Sequence, residues 1–205
     1  MKKKSIIISI SGKKLLIKEK KLIQKYKPWG VILFKRNIIS FSQSKNLIIS
    51  IKKAAGDLRF PIMIDEEGGT VSRLSSFIDN KIFSQRYFGD IYLINPELAL
   101  KLYKLYNNSL ISILKKIGIN INTVPVLDLL QKNTHKIIGN RSYSNNPKIV
   151  QKMGKFCVNL YKNKKIGSVI KHIPGHGRAT SDSHKKLPIV NTSLSKLIKK
   201  DFLCF

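Results

Sequence analysis

Three histidines, an aspartate and a lysine lie within the fourteen residues from Lys171 to His184. Imidazole titrates near neutral pH, so a histidine can accept and donate a proton in successive steps of a reaction. In the D-x-H pair that closes the segment, Asp182 can accept a hydrogen bond from one imidazole nitrogen of His184. That bond would fix the tautomer and raise the basicity of the other nitrogen. The segment is therefore a candidate for acid/base chemistry; a solvated polar loop fits the same spacing.

The same residue types also fit a metal site. Imidazole nitrogens and carboxylate oxygens are ligands of zinc and iron, and the segment contains His172, His176, Asp182 and His184. A phosphate-binding loop is excluded, because the pattern G-x-x-x-x-G-K-[ST] is absent. On these residues alone, acid/base and metal chemistry both stay open.

Other polar residues are placed to bind a ligand. Asp65 and Arg73 flank a Gly-Gly pair, which permits a sharp turn and can bring both side chains to one pocket. A carboxylate accepts hydrogen bonds from hydroxyls, and a guanidinium donates them in a planar fork. An acidic turn neutralised by nearby cations is the alternative. An arginine such as Arg141, taken alone, fits an ordinary surface position. Lys171 and His172 stand at the end of a buried apolar run, where polar residues rarely serve packing, so a functional role is favoured for them.

Apolar runs alternate with amphipathic segments along the chain, as in parallel α/β folds. The second to fifth predicted strands each lead into polar residues, and a (β/α)8 barrel carries its site at that rim. A doubly wound sheet is the alternative, disfavoured because no G-x-G-x-x-G follows the first strand. Ser42 is expected to cap the second helix, with Gly56 ending it and Gly118 ending the third. The strands are predicted at 5–10, 31–34, 61–64, 121–126 and 167–171, and the helices at 19–26, 42–55, 96–116 and 147–162.

The strand count falls short of a closed barrel, which needs eight strands and usually about 250 residues. The sequence therefore predicts one domain, residues 1–205, that is an incomplete (β/α)8 TIM-type barrel with about five of the eight βα units. A chain truncated at its C-terminal side is the expectation.

The net charge of +28 by itself suggests a polyanionic partner. Only six of the 39 basic residues are arginine, however, and the lysines are spread along the chain. Abundant Lys, Ile and Asn indicate a bias towards AT-rich codons, so no nucleic-acid partner is expected. Two cysteines without metal-type spacing favour a reducing compartment. No apolar run approaches the roughly 20 residues of a membrane span, so a cytoplasmic protein with no membrane partner is predicted.

Five segments, in chain order, resemble motifs of family-3 glycoside hydrolases, specifically the bacterial β-N-acetylhexosaminidases. The resemblance covers essentially the whole chain, and the segments depart from the family pattern at Val124, where relatives have alanine, and at Thr70, where many have arginine. The segments are GVILFKRN at 30–37, IDEEGGTVSRL at 64–74, NTVPVLD at 122–128, IGNRSY at 138–143 and KHIPGHGRATSDSH at 171–184.

The resemblance implies a cytoplasmic glycosidase that releases terminal N-acetylglucosamine from cell-wall-derived saccharides by a retaining mechanism, without cofactor or metal. His184 would be the general acid/base and Asp182 its orienting partner. The residues implied to hold the sugar are Asp65, Arg73, Arg141, Lys171 and His172.

The family's nucleophile is an aspartate on a later strand, and no residue of this chain can be assigned that role. A complementary C-terminal fragment is therefore a candidate partner. A non-catalytic remnant that at most binds sugar is the alternative function.

Overall fold

A computed structural model describes residues 3–181 and 186–205. Its centre is a sheet of five parallel strands in sequential order, each hydrogen-bonded to the next. Within the described residues β1 and β5 each have one strand neighbour, so the sheet is open, and the prediction of an incomplete barrel-type α/β fold is confirmed. The strands are β1 Lys4–Ser9, β2 Pro28–Leu33, β3 Ile62–Ile64, β4 Ile121–Asn122 and β5 Gly167–Ser168.

Helices connect the strands and cover the sheet. Four were predicted, and two more, α3 and α6, were missed. Gly56 and Gly118 end α2 and α4 with φ of 64° and 102°, as predicted. The helices are α1 Ile17–Tyr26, α2 Phe41–Ala55, α3 Gln85–Ile94, α4 Pro96–Ile117, α5 Pro147–Asn163 and α6 Leu194–Lys199.

The predicted cap of α2 is wrong by two residues. Ser40, not Ser42, is the cap, and its hydroxyl accepts a hydrogen bond from the Gln43 amide at 3.3 Å. The Gln43 side chain in turn accepts a bond from the Ile39 amide at 2.9 Å. The Ser40 hydroxyl thus satisfies one free amide of the first turn, and the Gln43 side chain holds the residue before the cap, so the helix begins at Phe41.

The predicted fourth and fifth strands are longer than the strands observed. β4 ends at Asn122 because Pro125, three residues on, has no amide hydrogen to continue a regular ladder. Two hydrogen bonds still join the segments: the Leu127 amide donates to the Lys171 carbonyl at 2.7 Å, and the Lys171 amide donates to the Pro125 carbonyl at 3.2 Å. The ends of these segments therefore stay side by side, which brings Asp128 close to Lys171.

The core has two apolar parts. One lies between the first three strands, α2 and α4, and includes Leu33, Ile62 and Ile64. The other lies among α3, α4 and α5, where Tyr143 and Tyr161 are fully buried. In the part of the chain that the structure describes, no helix combines the length and apolarity needed to cross a membrane.

Candidate active site

A cavity of about 620 Å³ opens at the carboxyl ends of β3, β4 and β5. All five residues that the resemblance assigns to sugar binding line it. The lining residues are Asp65, Glu67, Thr70, Val71, Arg73, Thr123, Lys136, Ile137, Ile138, Arg141, Val169, Lys171, His172 and His176.

The loop after β3 folds back so that Asp65 and Arg73 meet. Gly68 and Gly69 have φ of 81° and 61°, in the left-handed region that glycine adopts without steric cost. A side chain at Gly68 would also overlap the carbonyl oxygen of Phe83. The resulting turn brings Arg73 Nη2 to 3.3 Å from Asp65 Oδ2.

Glu66 holds this loop from inside the protein. Its side chain is fully buried, and Oε2 accepts hydrogen bonds from the Arg73 and Leu74 amides at 2.7 and 2.9 Å. Oε1 accepts a third bond from Asn80 Nδ2 at 2.7 Å. Burial raises the pKa of the Glu66 carboxyl and outweighs these hydrogen bonds, which act in the opposite direction.

Asp65 is held as a carboxylate on the pocket wall. Burial alone would raise its pKa, but Lys171, the Thr123 hydroxyl and Arg73 together lower the pKa below its ordinary value. Lys171 Nζ lies 3.5 Å from Asp65 Oδ1, and the Thr123 hydroxyl donates to the same oxygen. An ionised Asp65 can accept hydrogen bonds from sugar hydroxyls but cannot donate them.

Glu67 joins two cations from different loops. Its carboxylate is 1% exposed and accepts bonds from Arg141 Nε at 2.8 Å and Arg141 Nη2 at 3.0 Å. The Lys171 ammonium lies 2.5 Å from Oε1 of the same side chain. The loop after β4 and the end of β5 are therefore tied to the loop after β3 through one side chain.

Asp128 orients His172. Its fully buried carboxylate lies 2.6 Å from His172 Nδ1, and its other oxygen accepts the His176 amide at 2.6 Å. Arg141 Nη2 lies 3.2 Å from His172 Nε2. A guanidinium can only donate, so this network assigns the imidazole proton to Nδ1 and makes Nε2 the acceptor.

The structure gathers the predicted sugar-binding residues, but it does not describe the predicted acid/base pair. Asp182 and His184 lie outside the described residues. Sequence reasoning did not assign Glu67, Asp128 or Thr123 to the site, although Glu67 and Asp128 stand in the polar strand ends that it noted. Among residues 3–181 and 186–205, no three His, Cys, Asp or Glu side chains are arranged to hold a metal ion.

Comparison with known proteins matches residues 6–205 to the N-terminal domain of glycosyl hydrolase family 3. A β-hexosaminidase of Xanthomonas campestris pv. campestris is 30% identical over 200 residues, which cover 98% of this chain and 59% of that protein. NagZ from Neisseria gonorrhoeae superposes with a TM-score of 0.89 at 29% identity, covering 98% of this chain and 58% of that one. Another structure of that protein, with N-trifluoroacetyl-D-glucosamine bound, gives a TM-score of 0.89 at 28% identity over 98% of this chain and 59% of that chain. The chain thus spans less than two thirds of these relatives, and it belongs to glycoside hydrolase family 3.

Proposed function

We propose that this pocket binds a terminal N-acetylglucosamine of cell-wall-derived saccharides, and that the chain is the N-terminal part of a retaining β-N-acetylhexosaminidase of the cytoplasm. The observation that carries the proposal is the meeting of Asp65, Arg73, Arg141, Lys171 and His172 in one cavity, since they come from loops after three different strands. The N-acetylglucosamine derivative bound by the Neisseria protein supports the same ligand class.

The charges of the pocket also suit an uncharged sugar. Arg73, Arg141 and Lys171 each contact a carboxylate in the pocket, although the chain has a net charge of +28. Lys136 also lines the cavity and makes no ion pair among the described residues. A sugar presents hydroxyls that donate and accept, and this mixture of acceptor carboxylates and donor cations matches it. The ion pairs are Asp65 with Arg73 and Lys171, and Glu67 with Arg141 and Lys171. Asp128 accepts a hydrogen bond from His172.

In the proposed reaction, His184 first protonates the leaving oxygen and then takes a proton from the incoming water, with Asp182 orienting its ring. A retaining mechanism also needs a carboxylate nucleophile that forms the glycosyl–enzyme. We assign no residue of this chain to that step. An aspartate from the part of the longer relatives that this chain does not span would supply it.

Titration with N-acetylglucosamine, followed by calorimetry or NMR, tests the sugar site. We expect the chain to bind this sugar, and Asp65→Asn to weaken binding at least about tenfold, the cost of a lost charged hydrogen bond. Asp90→Asn is the matched control, because Asp90 pairs with Arg86 on the exposed surface of α3. Absence of sugar binding by the unaltered chain would refute the proposal.

A chromogenic β-N-acetylglucosaminide tests the chemistry. We expect no hydrolysis by the chain alone, and hydrolysis with retained anomeric configuration once the C-terminal segment of a longer relative is supplied. His184→Ala should then lower turnover by roughly 10²–10⁴-fold, and less for good leaving groups, which need little protonation. Turnover by the chain alone would show that a nucleophile lies within it.

A further inference from the structure

Two cations of the pocket converge on one oxygen atom. Glu67 Oε1 lies 2.5 Å from Lys171 Nζ and 3.0 Å from Arg141 Nη2, while Glu67 Oε2 lies 2.8 Å from Arg141 Nε. The Glu67 side chain borders the cavity but is only 1% exposed, so its neighbours cover it almost completely.

The other contacts of the two cations do not connect them. Lys171 Nζ donates to the Thr123 hydroxyl at 2.9 Å and lies 3.5 Å from Asp65 Oδ1. Arg141 Nη1 donates to the Ile137 carbonyl at 3.1 Å, and Arg141 Nη2 lies 3.2 Å from His172 Nε2. Without a negative charge at Glu67, Arg141 would lose its carboxylate contact and Lys171 the nearer of its two, which leaves two like charges with less compensation in a partly buried place, where water screens them weakly. Their mutual repulsion would move one or both away from their present positions.

We propose that Glu67 is a positioning residue, whose buried charge sets the distance and direction between Arg141 and Lys171 as they face the sugar. This inference rests on the proposed sugar site and adds to it a residue whose carboxylate acts through the two cations. It assigns the role to the charge of Glu67, not to its size. Charge and size make opposite predictions for two substitutions.

Glu67→Gln keeps the size and removes the charge, whereas Glu67→Asp keeps the charge and shortens the side chain. If charge positions the cations, the affinity for N-acetylglucosamine should fall at least about tenfold in Glu67→Gln, the size of one charged hydrogen bond. Glu67→Asp should recover a substantial part of it. A role in packing alone predicts the reverse order, and that order would overturn the proposal.

A second readout does not need sugar. The chain has only six arginines, so their Nε–H signals can be resolved by ¹⁵N NMR, and Arg141→Lys identifies one of them. We expect Glu67→Gln to shift this signal strongly, because it removes the carboxylate bonded to Arg141 Nε. The matched control is Glu66→Gln, which removes the adjacent buried charge but no contact of Arg141, and should leave the signal in place.

The two readouts separate the possible failures. If the unaltered chain binds no sugar but the Arg141 signal responds to Glu67, the sugar site is refuted while the positioning of Arg141 stands. If the chain binds sugar and Glu67→Gln changes neither affinity nor signal, the role of Glu67 is refuted. Should Glu67→Gln not fold, Glu67→Gln with Lys171→Met preserves the charge balance. Its Arg141 signal should then differ from that of Lys171→Met alone, and an identical signal would refute the role.

Discussion

Two adjacent glutamates after β3 have different roles because their side chains have different surroundings. Glu66 faces the backbone amides of its own loop and carries no cation contact among the described residues. Glu67 faces two cations from other loops. One carboxylate therefore anchors a loop, and its neighbour orients side chains in the pocket.

We predict that Glu66→Gln stabilises the protein near pH 7. Burial raises the pKa of Glu66 in the folded state, so its contribution to stability is complete below the unfolded-chain pKa of about 4.3. That contribution is lost as the pH rises through the higher pKa of the folded state. Glutamine carries no charge and avoids this loss. Asn80 Oδ1 has no partner among the described residues, and after an amide flip of Asn80 it can accept a bond from the new amide group.

Thermal unfolding from pH 4 to pH 8 measures this effect. The gain at pH 7 should be on the order of 1 kcal/mol, the size of one hydrogen bond, and should vanish near pH 4. Glu97→Gln, at an exposed position in the first turn of α4, should give no such gain. The difference in stability between Glu66→Gln and the unaltered chain should therefore be larger at pH 7 than at pH 4. A smaller difference at pH 7 would contradict the prediction.

Sequence reasoning could predict which strands contribute to the pocket, but not every residue. Asp65, Lys171 and His172 meet because the carboxyl ends of all the parallel strands lie at one rim, a rule that needs no coordinates. Which of Glu66 and Glu67 faces the cations depends on the Gly68–Gly69 turn, because the side chains no longer alternate between two faces after the strand has ended. The positions of the pocket residues are given by the structure, while their roles in sugar binding stay predictions.

At the scale of elements, the loops that follow β4 and β5 press directly on each other. Gly177 packs so closely that a Cβ atom there would overlap the carbonyl oxygen of Leu129. Thr134 Oγ1 donates to the Gly177 carbonyl at 2.5 Å, and the His135 amide donates to the Ala179 carbonyl at 3.2 Å. This contact fixes the loop that begins with Lys171 against the loop that leads to Arg141.

We predict that Gly177→Ala lowers stability and weakens sugar binding together. The methyl group meets a backbone oxygen that cannot rotate away, and overpacking of this kind typically costs about 1–3 kcal/mol. Gly12→Ala is the control, because a Cβ at Gly12 has no atom within 4 Å and its φ is not positive. Thermal unfolding and sugar titration measure both effects. An unfolding temperature for Gly177→Ala equal to that of Gly12→Ala would show that the two loops are not in contact.

Helix ends were predictable where residue chemistry marks them. Pro96 and Pro147 each stand at the start of a helix, and Gly118 ends α4, so the predicted and observed bounds agree within one residue. α3 was missed because only Asn95 separates it from α4, and no glycine or proline marks its start. α6 was missed because its six residues bury none of their side chains, so no apolar periodicity identifies it.

At the scale of the whole molecule, charge is distributed unevenly. The chain carries a net charge of +28, yet Arg73, Arg141 and Lys171 in the pocket each contact a carboxylate. Most of the excess positive charge therefore lies outside the pocket, on lysines spread along the surface. A neutral sugar carries no net charge on which this field could act, whereas the field governs how copies of the chain approach one another.

The open sheet leads to the last prediction. In the described residues β1 pairs only with β2, so its outer edge has unpaired amides and carbonyls, and Ile6 and Ile7 are 49% and 46% exposed. Such an edge is a template for association. Repulsion between positively charged copies opposes this association at low salt. Salt weakens the repulsion, because the screening length shortens from about 10 Å at 0.1 M to about 3 Å at 1 M. We therefore expect the isolated chain to associate increasingly as salt is raised, and to associate less when the C-terminal segment of a relative is supplied.

Size-exclusion chromatography with light scattering, at low and high salt, measures this association. Ile7→Lys places a charge on the exposed edge and should reduce it. Ile94→Lys adds the same charge at a position that is 87% exposed at the end of α3, away from the sheet edge, and should reduce it much less. A monodisperse monomer at both salt concentrations, with a sharp cooperative unfolding transition, would show that five strands suffice for a stable fold and that the edge of β1 is not a site of association.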